Sequence, residues 1–127
     1  MAEFAPTVPR IEGNVYLVLA YDGEGSAAER DASLDEHLAY VEKRCDDYLV
    51  CGPLSEPGGS ELIGSFFLLT AESEQAAREL VSGDPYVRSG MYAEIRVMSA
   101  TAAGGRFMGG VIWESADAIR AAQAGAQ

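Results

Sequence analysis

The run Asn14-Val-Tyr-Leu-Val-Leu-Ala-Tyr21 sets the architecture. Read with a period of two, Val15, Leu17, Leu19 and Tyr21 fall on one side of a strand and Tyr16, Val18 and Ala20 on the other. Both sides are apolar. The run Glu61–Leu69 (ELIGSFFLL) repeats the pattern, with Ile63, Ser65, Phe67 and Leu69 alternating with Leu62, Gly64, Phe66 and Leu68. Strands of this kind need cover on two faces.

Outward from these two strands, the remaining elements follow in order. The acidic, glycine-containing loop Asp22–Asp31 leads to Ser33-Leu-Asp-Glu36, a capping-box pattern that predicts a helix running to about Asp46. Its apolar stripe is Leu34, Leu38, Val41 and Cys45, at i, i+4, i+7 and i+11. A short strand, Tyr48–Cys51, ends at Gly52-Pro53, and Pro53–Ser60 reads as turn. The stretch Thr70–Ser82 predicts a second helix with Ala76, Ala77, Leu80 and Val81 inward and Gly83 as terminator. After the turn Asp84-Pro85-Tyr86, the strand Tyr92–Met98 places Ala93, Ile95 and Val97 opposite Glu94 and Arg96.

The order β-α-β-β-α-β over residues 14–98 predicts an α+β, ferredoxin-like fold: an antiparallel four-stranded sheet with two helices on one face. Two helices cover one face, so the other predicts a homodimer formed sheet on sheet around an internal cavity, a dimeric α+β barrel. Residues 14–99 form the expected domain and 100–127 a C-terminal extension. The extension has a short strand over Gly109–Trp113 and a helix capped by Ser115 through Ala122. Trp113 is the expected buried anchor, at the sheet edge or across the dimer. Residues 1–13, with Pro6, Pro9 and Gly13, read as a surface arm.

The 127 residues suit one compact domain, and 48% hydrophobic against 23% charged residues is a globular balance. Nine Lys and Arg face 20 Asp and Glu, for a net charge of -11. Such a surface repels phosphate backbones and anionic lipid, which argues against nucleic-acid and membrane partners. No apolar run approaches the roughly 20 residues that span a bilayer. Met1 to Arg10 lacks the basic-then-apolar pattern of a leader, so a cytoplasmic location is expected. One His with Cys45 and Cys51 falls short of a metal ligand set, and the thiols read as reduced and packed. No cofactor motif stands out: Gly104–Gly110 lacks the Lys-Ser/Thr ending of a phosphate loop and reads as linker.

His37 is the lone histidine. With Ser33 as cap it falls in the first helical turn, roughly 70° from the centre of the apolar stripe and able to reach a cavity rim. Asp84 precedes Pro85, which biases it to an extended, projecting conformation. Tyr86 and Tyr92 flank the same loop as ring-in, hydroxyl-out candidates.

Glu36-His37-Leu38, Cys51-Gly52-Pro53-Leu54, Gly64-Ser65, Ala76-Ala77, Asp84-Pro85-Tyr86 and Gly90 resemble the YCII-related domain family in order and spacing. Arg30, seven residues before His37, also matches. The resemblance spans residues 14–99. It implies a ferredoxin-like fold that dimerises as muconolactone isomerases do, with His37 and Asp84 as a catalytic dyad facing a pocket. One branch of the family removes halide from a chlorinated hydroxyhydroquinone. On this reading the chain is a cofactor-independent acid/base enzyme of lyase or isomerase type, acting on a hydroxy-aromatic or enolisable small molecule. His37 is the base, Asp84 holds its tautomer, Ser65 and Tyr86 orient a substrate oxygen, and Arg30 holds an anionic group. A non-catalytic ligand-binding or accessory protein and a cofactor-free oxygenase are the alternatives.

Overall fold

The computed structural model describes residues 7–125 and divides into two compact units, Gly13–Thr101 and a smaller one built from residues 7–12 and 102–125. The larger unit contains β1 (Asn14–Asp22), α1 (Ser26–Lys43), a 3-10 turn (Cys45–Asp47), β2 (Tyr48–Ser55), β3 (Leu62–Ala71), α2 (Glu74–Ser82), α3 (Pro85–Arg88) and β4 (Tyr92–Ala100). The strands form one antiparallel sheet in the order β2-β3-β1-β4. This is the expected ferredoxin-like α+β arrangement.

In the central pair, Leu17 stands opposite Leu68 and Leu19 opposite Phe66, while Val18 faces Phe67 and Tyr16 faces Leu69. The second set points to the helices. Tyr16, Val18, Ala20, Tyr48, Phe67 and Leu69 form the core with Ala77 and Val81 of α2, and Val41 of α1 packs against it. On the other face Leu17, Leu19, Phe66 and Leu68 are only half-buried. The two-sided apolar character of β1 and β3 is thus present, with helices on one side.

Strand β2 is longer than expected, running through Gly52-Pro53 to Ser55. It is an edge strand, where the missing N–H of Pro53 disrupts no interior ladder. Strand β3 runs on to Ala71, so α2 starts at Glu74 rather than Thr70, with the Ser73 hydroxyl accepting from the Ala76 N–H at 3.1 Å. Gly83 ends α2 in an ordinary right-handed conformation, so its role is room rather than dihedral freedom. A Cβ there would lie 2.5 Å from the Tyr40 hydroxyl.

Helix α1 departs most from expectation. It begins at Ser26 behind Gly25, which is left-handed with φ 77°, and not at Ser33. The stretch Ala27-Ala28-Glu29-Arg30 propagates a helix well, so the expected loop is its first turn and a half. The Ser33 hydroxyl donates to Glu29 four residues back instead of capping. The helix ends at Lys43, short of the expected Asp46. Its expected apolar stripe is not the buried face: Leu34 is 41% and Leu38 50% exposed, and Cys45 is exposed. Ser26 and Arg30 are buried instead, with Ser33, His37 and Tyr40 half-buried along the same side.

In the smaller unit, β5 (Gly104–Gly105) pairs with β6 (Gly110–Val111) across a 3-10 turn, Arg106–Met108. The expected strand over Gly109–Trp113 is therefore shorter, and it is half of a hairpin. The Val8 N–H donates to the Val111 carbonyl. Helix α4 (Ala116–Gly125) is capped as expected, the Ser115 hydroxyl accepting from the Ala118 N–H at 3.0 Å. Trp113, expected as a buried anchor, is 38% exposed in the single chain. Of the arm expected over residues 1–13, residues 1–6, Pro6 among them, lie outside the described residues.

Candidate active site

Helix α1 carries Arg30 and His37 two turns apart on its inner side, and α3 carries Tyr86 behind its cap Asp84. Asp84 has φ −68° and ψ 129°, the extended geometry that a following proline favours. Its carboxylate is completely buried and accepts from the Tyr86 N–H at 2.9 Å. Nδ1 of His37 lies 2.7 and 2.9 Å from the two Asp84 oxygens. A carboxylate only accepts, so Nδ1 donates and Nε2 of the neutral ring holds the free lone pair. The His37 and Tyr86 rings are stacked, 3.8 Å between centroids and 7° from parallel. His37 is therefore the twelfth residue of α1, not a first-turn residue, and its orientation comes from α3.

A second cluster adjoins the first. Arg30 makes a two-pronged ion pair with Asp22, Nε to Oδ2 and Nη2 to Oδ1, both 2.8 Å. The two N–H groups of Nη2 are shared among that Asp22 oxygen, the Gly64 carbonyl at 2.8 Å and, at the longest distance, the Ser65 hydroxyl at 3.1 Å. A Cβ at position 64 would collide with the Ala20 carbonyl, so glycine lets β3 and β1 approach there. The hydrogen bond and charge of Asp22 raise the Arg30 pKa further, against the opposing effect of burial. The guanidinium carbon sits 5.4 Å from the Tyr86 centroid and 5.9 Å from that of Tyr92. Tyr86 donates its hydroxyl to the Arg30 carbonyl, and the Tyr92 hydroxyl meets Ser65 Oγ at 2.8 Å. Burial pushes the Tyr86 phenol up and that of Tyr92 up to about 12, with Ser65 and Arg30 pulling Tyr92 the other way.

All five residues singled out from the sequence, Arg30, His37, Ser65, Asp84 and Tyr86, fall in this one contiguous cluster. Asp22 and Tyr92 complete it. Asp22 escaped the sequence reading because it lies in what reads as an acidic loop. Tyr92 was read as a ring beside the loop, and its contact with Ser65 is made between strands. Among the described residues, the Tyr48 hydroxyl is the one fully buried side-chain polar atom without a hydrogen-bond partner. Among the described residues neither Nε2 of His37 nor Nη1 of Arg30 has a hydrogen-bond partner. Both side chains flank Tyr86, 3.8 Å from its centroid to the His37 ring centre and 5.4 Å to the Arg30 guanidinium carbon, so ring centre and guanidinium carbon lie no more than about 9 Å apart. Among the described residues no three His, Cys, Asp or Glu side chains converge to hold a metal, and no helix is long and apolar enough to cross a membrane.

The profile of the YCII-related domain matches residues 15–101. The chain belongs to the YCII-related domain family. Protein YciI of Escherichia coli O6:H1 is 30% identical over 90 residues, covering 65% of this chain and 92% of that protein. An uncharacterised protein of Haemophilus influenzae is 29% identical over 89 residues, 65% of this chain and 91% of its own. Among solved structures, 5-chloro-2-hydroxyhydroquinone dehydrochlorinase (TftG) of Burkholderia phenoliruptrix AC1100, in complex with 2,5-dihydroxybenzoquinone, superposes with a TM-score of 0.63. It is 29% identical and covers 72% of this chain and 96% of its own. The likeness supports a small enzyme of this fold, and it places a small-molecule ligand on a relative.

Proposed function

We propose that this chain is a cofactor-independent acid/base enzyme of lyase or isomerase type that moves a proton on a hydroxy-aromatic or enolisable small molecule. The observation that carries the reading is the His37–Asp84 pair: Nδ1 is held by a fully buried carboxylate while Nε2, on a side chain that is 15% exposed, has no hydrogen-bond partner among the described residues. Nε2 accepts the proton, and the Asp84 charge stabilises the imidazolium that forms. Nη1 of Arg30 neutralises the oxygen on which the electron pair settles. The proton then returns to another carbon, or a leaving group departs with the bonding pair. Tyr86 acts as the plate behind the imidazole, and Ser65 orients the substrate through its neighbours. Such proton transfer contributes about 10²–10⁴ in rate.

The working form is a cytoplasmic homodimer joined through the face bearing Leu17, Leu19, Phe66 and Leu68. Residues 14–99 are the catalytic domain and 100–127 an extension that strengthens the pair, with Trp113 as its anchor. Each Å² of apolar surface left wet costs about 25 cal/mol, several kcal/mol for these side chains together. Sedimentation of the intact chain should give a dimer, weakened by truncation after Ala100. A monomeric intact chain sinks the assembly.

TftG supplies the first assay: 5-chloro-2-hydroxyhydroquinone followed by chloride release, then unchlorinated hydroxyquinols and enolisable lactones by absorbance. His37→Ala should abolish turnover with an unchanged circular dichroism spectrum. Turnover that survives His37→Ala refutes the dyad. Tight binding without turnover in the intact protein favours a ligand-binding role, and oxygen uptake an oxygenase.

A further inference from the structure

The Ser65–Tyr92 contact has one proton more than it can place. Each hydroxyl has a single O–H, and the 2.8 Å contact between them consumes one of the two. Ser65 also receives an N–H from Arg30, which leaves its own O–H as donor. If Tyr92 donates to Ser65, the serine proton has no acceptor among the described residues at a side chain that is nearly wholly buried. Leaving a buried donor unpaired is costly. The opposite polarity satisfies the serine: Arg30 donates to Ser65, Ser65 donates to Tyr92, and the phenol O–H becomes the free end. Tyr92 is half-buried and its contact with Ser65 only partly so, unlike the enclosed serine. Each link polarises the next, and the chain begins on a guanidinium whose charge is held by Asp22.

We infer that Arg30, Ser65 and Tyr92 form a directed donor chain that ends on a ring or enolate oxygen of the substrate, with Tyr92 as the group that touches it. This rests on the reading of the site as an acid/base centre and narrows its substrate class. The substrate carries an oxygen that gains negative charge as Nε2 of His37 removes the proton, and a second oxygen within reach of Arg30 Nη1. Hydroxylated quinoid rings fit; simple hydrocarbons and amines do not. Ser65 is then a positioning residue, acting through Tyr92. A phenol is protonated at neutral pH even at its ordinary pKa of 10.0, as a donor must be, and burial moves it further the same way.

The test uses the intact protein and 2,5-dihydroxybenzoquinone, whose visible spectrum reports hydrogen bonding to its ring oxygens. The wild type should bind it with a spectral shift. Tyr92→Phe should abolish the shift and weaken binding about tenfold to a hundredfold. Ser65→Ala should weaken binding by less, and the double variant should lose no more than Tyr92→Phe alone, because the two act in series. Thermal melts of each variant check that the fold stands. Unchanged affinity and spectrum in Tyr92→Phe overturns the inference, as do additive losses or a wild type that does not bind. His37→Ala separates this from the function reading. If it retains turnover while Tyr92→Phe loses binding, the dyad falls and the donor chain stands.

Discussion

Helices α1 and α2 lie on the same face of the sheet and bury opposite kinds of surface. Helix α2 is conventional: Ala77 and Val81 enter the core, and its charges, such as the Arg78–Glu74 pair, stay outside. Helix α1 is inverted. Its inner side carries Ser26, Arg30, Ser33, His37 and Tyr40, while Leu34 and Leu38 face outward. The difference separates a helix that holds the sheet from one that holds a site. Polar groups are buried along α1 because partners wait for them: Asp22, Gly64 and Ser65 for Arg30, Asp84 for His37, and the Leu80 carbonyl for Tyr40.

The contrast breaks most sharply at Arg30. Arg30→Met removes the cation from a nearly buried pair and leaves Asp22 uncompensated, which should cost about 3–5 kcal/mol in denaturant unfolding. Asp22→Asn in the same chain should restore part of that loss. A cost near zero would mean that α1 is held by packing after all. The next test compares one residue from each helix. Val81→Ala in α2 deletes buried methyl groups and should cost about 2 kcal/mol, whereas Leu38→Ala in α1 should stay within about 0.5 kcal/mol of the parent. Equal losses at the two positions would put Leu38 in a core.

The smallest effect is in alkali. Folding holds the Tyr92 phenol neutral up to about 12, against 10.0 in the unfolded chain. The folded state therefore keeps a proton that the unfolded state has lost. The contribution is whole below pH 10 and falls as pH rises through 12. Melting temperature in that window should drop less for Tyr92→Phe than for the parent. A parallel decline would assign the alkaline loss elsewhere; the Tyr48 phenol, raised by burial, is the next candidate.

The chain's own pattern determined much here, and the reason is periodicity. Alternation in residues 14–21 and 61–69 is a backbone property that survives any tertiary context, so the strands, their order and the two-sided apolar sheet were legible. Asp84 was legible in part as well, because a residue before proline has few conformations open to it. His37 was legible as the lone histidine beside a helical stripe, whereas Arg30, in a stretch that reads as loop, entered only through the family resemblance. Which face of α1 they share was not legible. A hydrophobic stripe indicates the buried side only when the surroundings are apolar, and the surroundings of α1 are the carboxylates of Asp22 and Asp84, from β1 and the start of α3. The helix start moved for a related reason: the capping pattern at Ser33 is local, and the helix of Ala27–Arg30 already runs through it. Asp22 and Tyr92 joined the site through the register of β1 and β4, where Asp22 pairs with Tyr92 beyond an irregularity at Tyr21. Tertiary structure alone decided that juxtaposition, since partners separated by 70 positions meet through strand pairing, which local sequence does not encode.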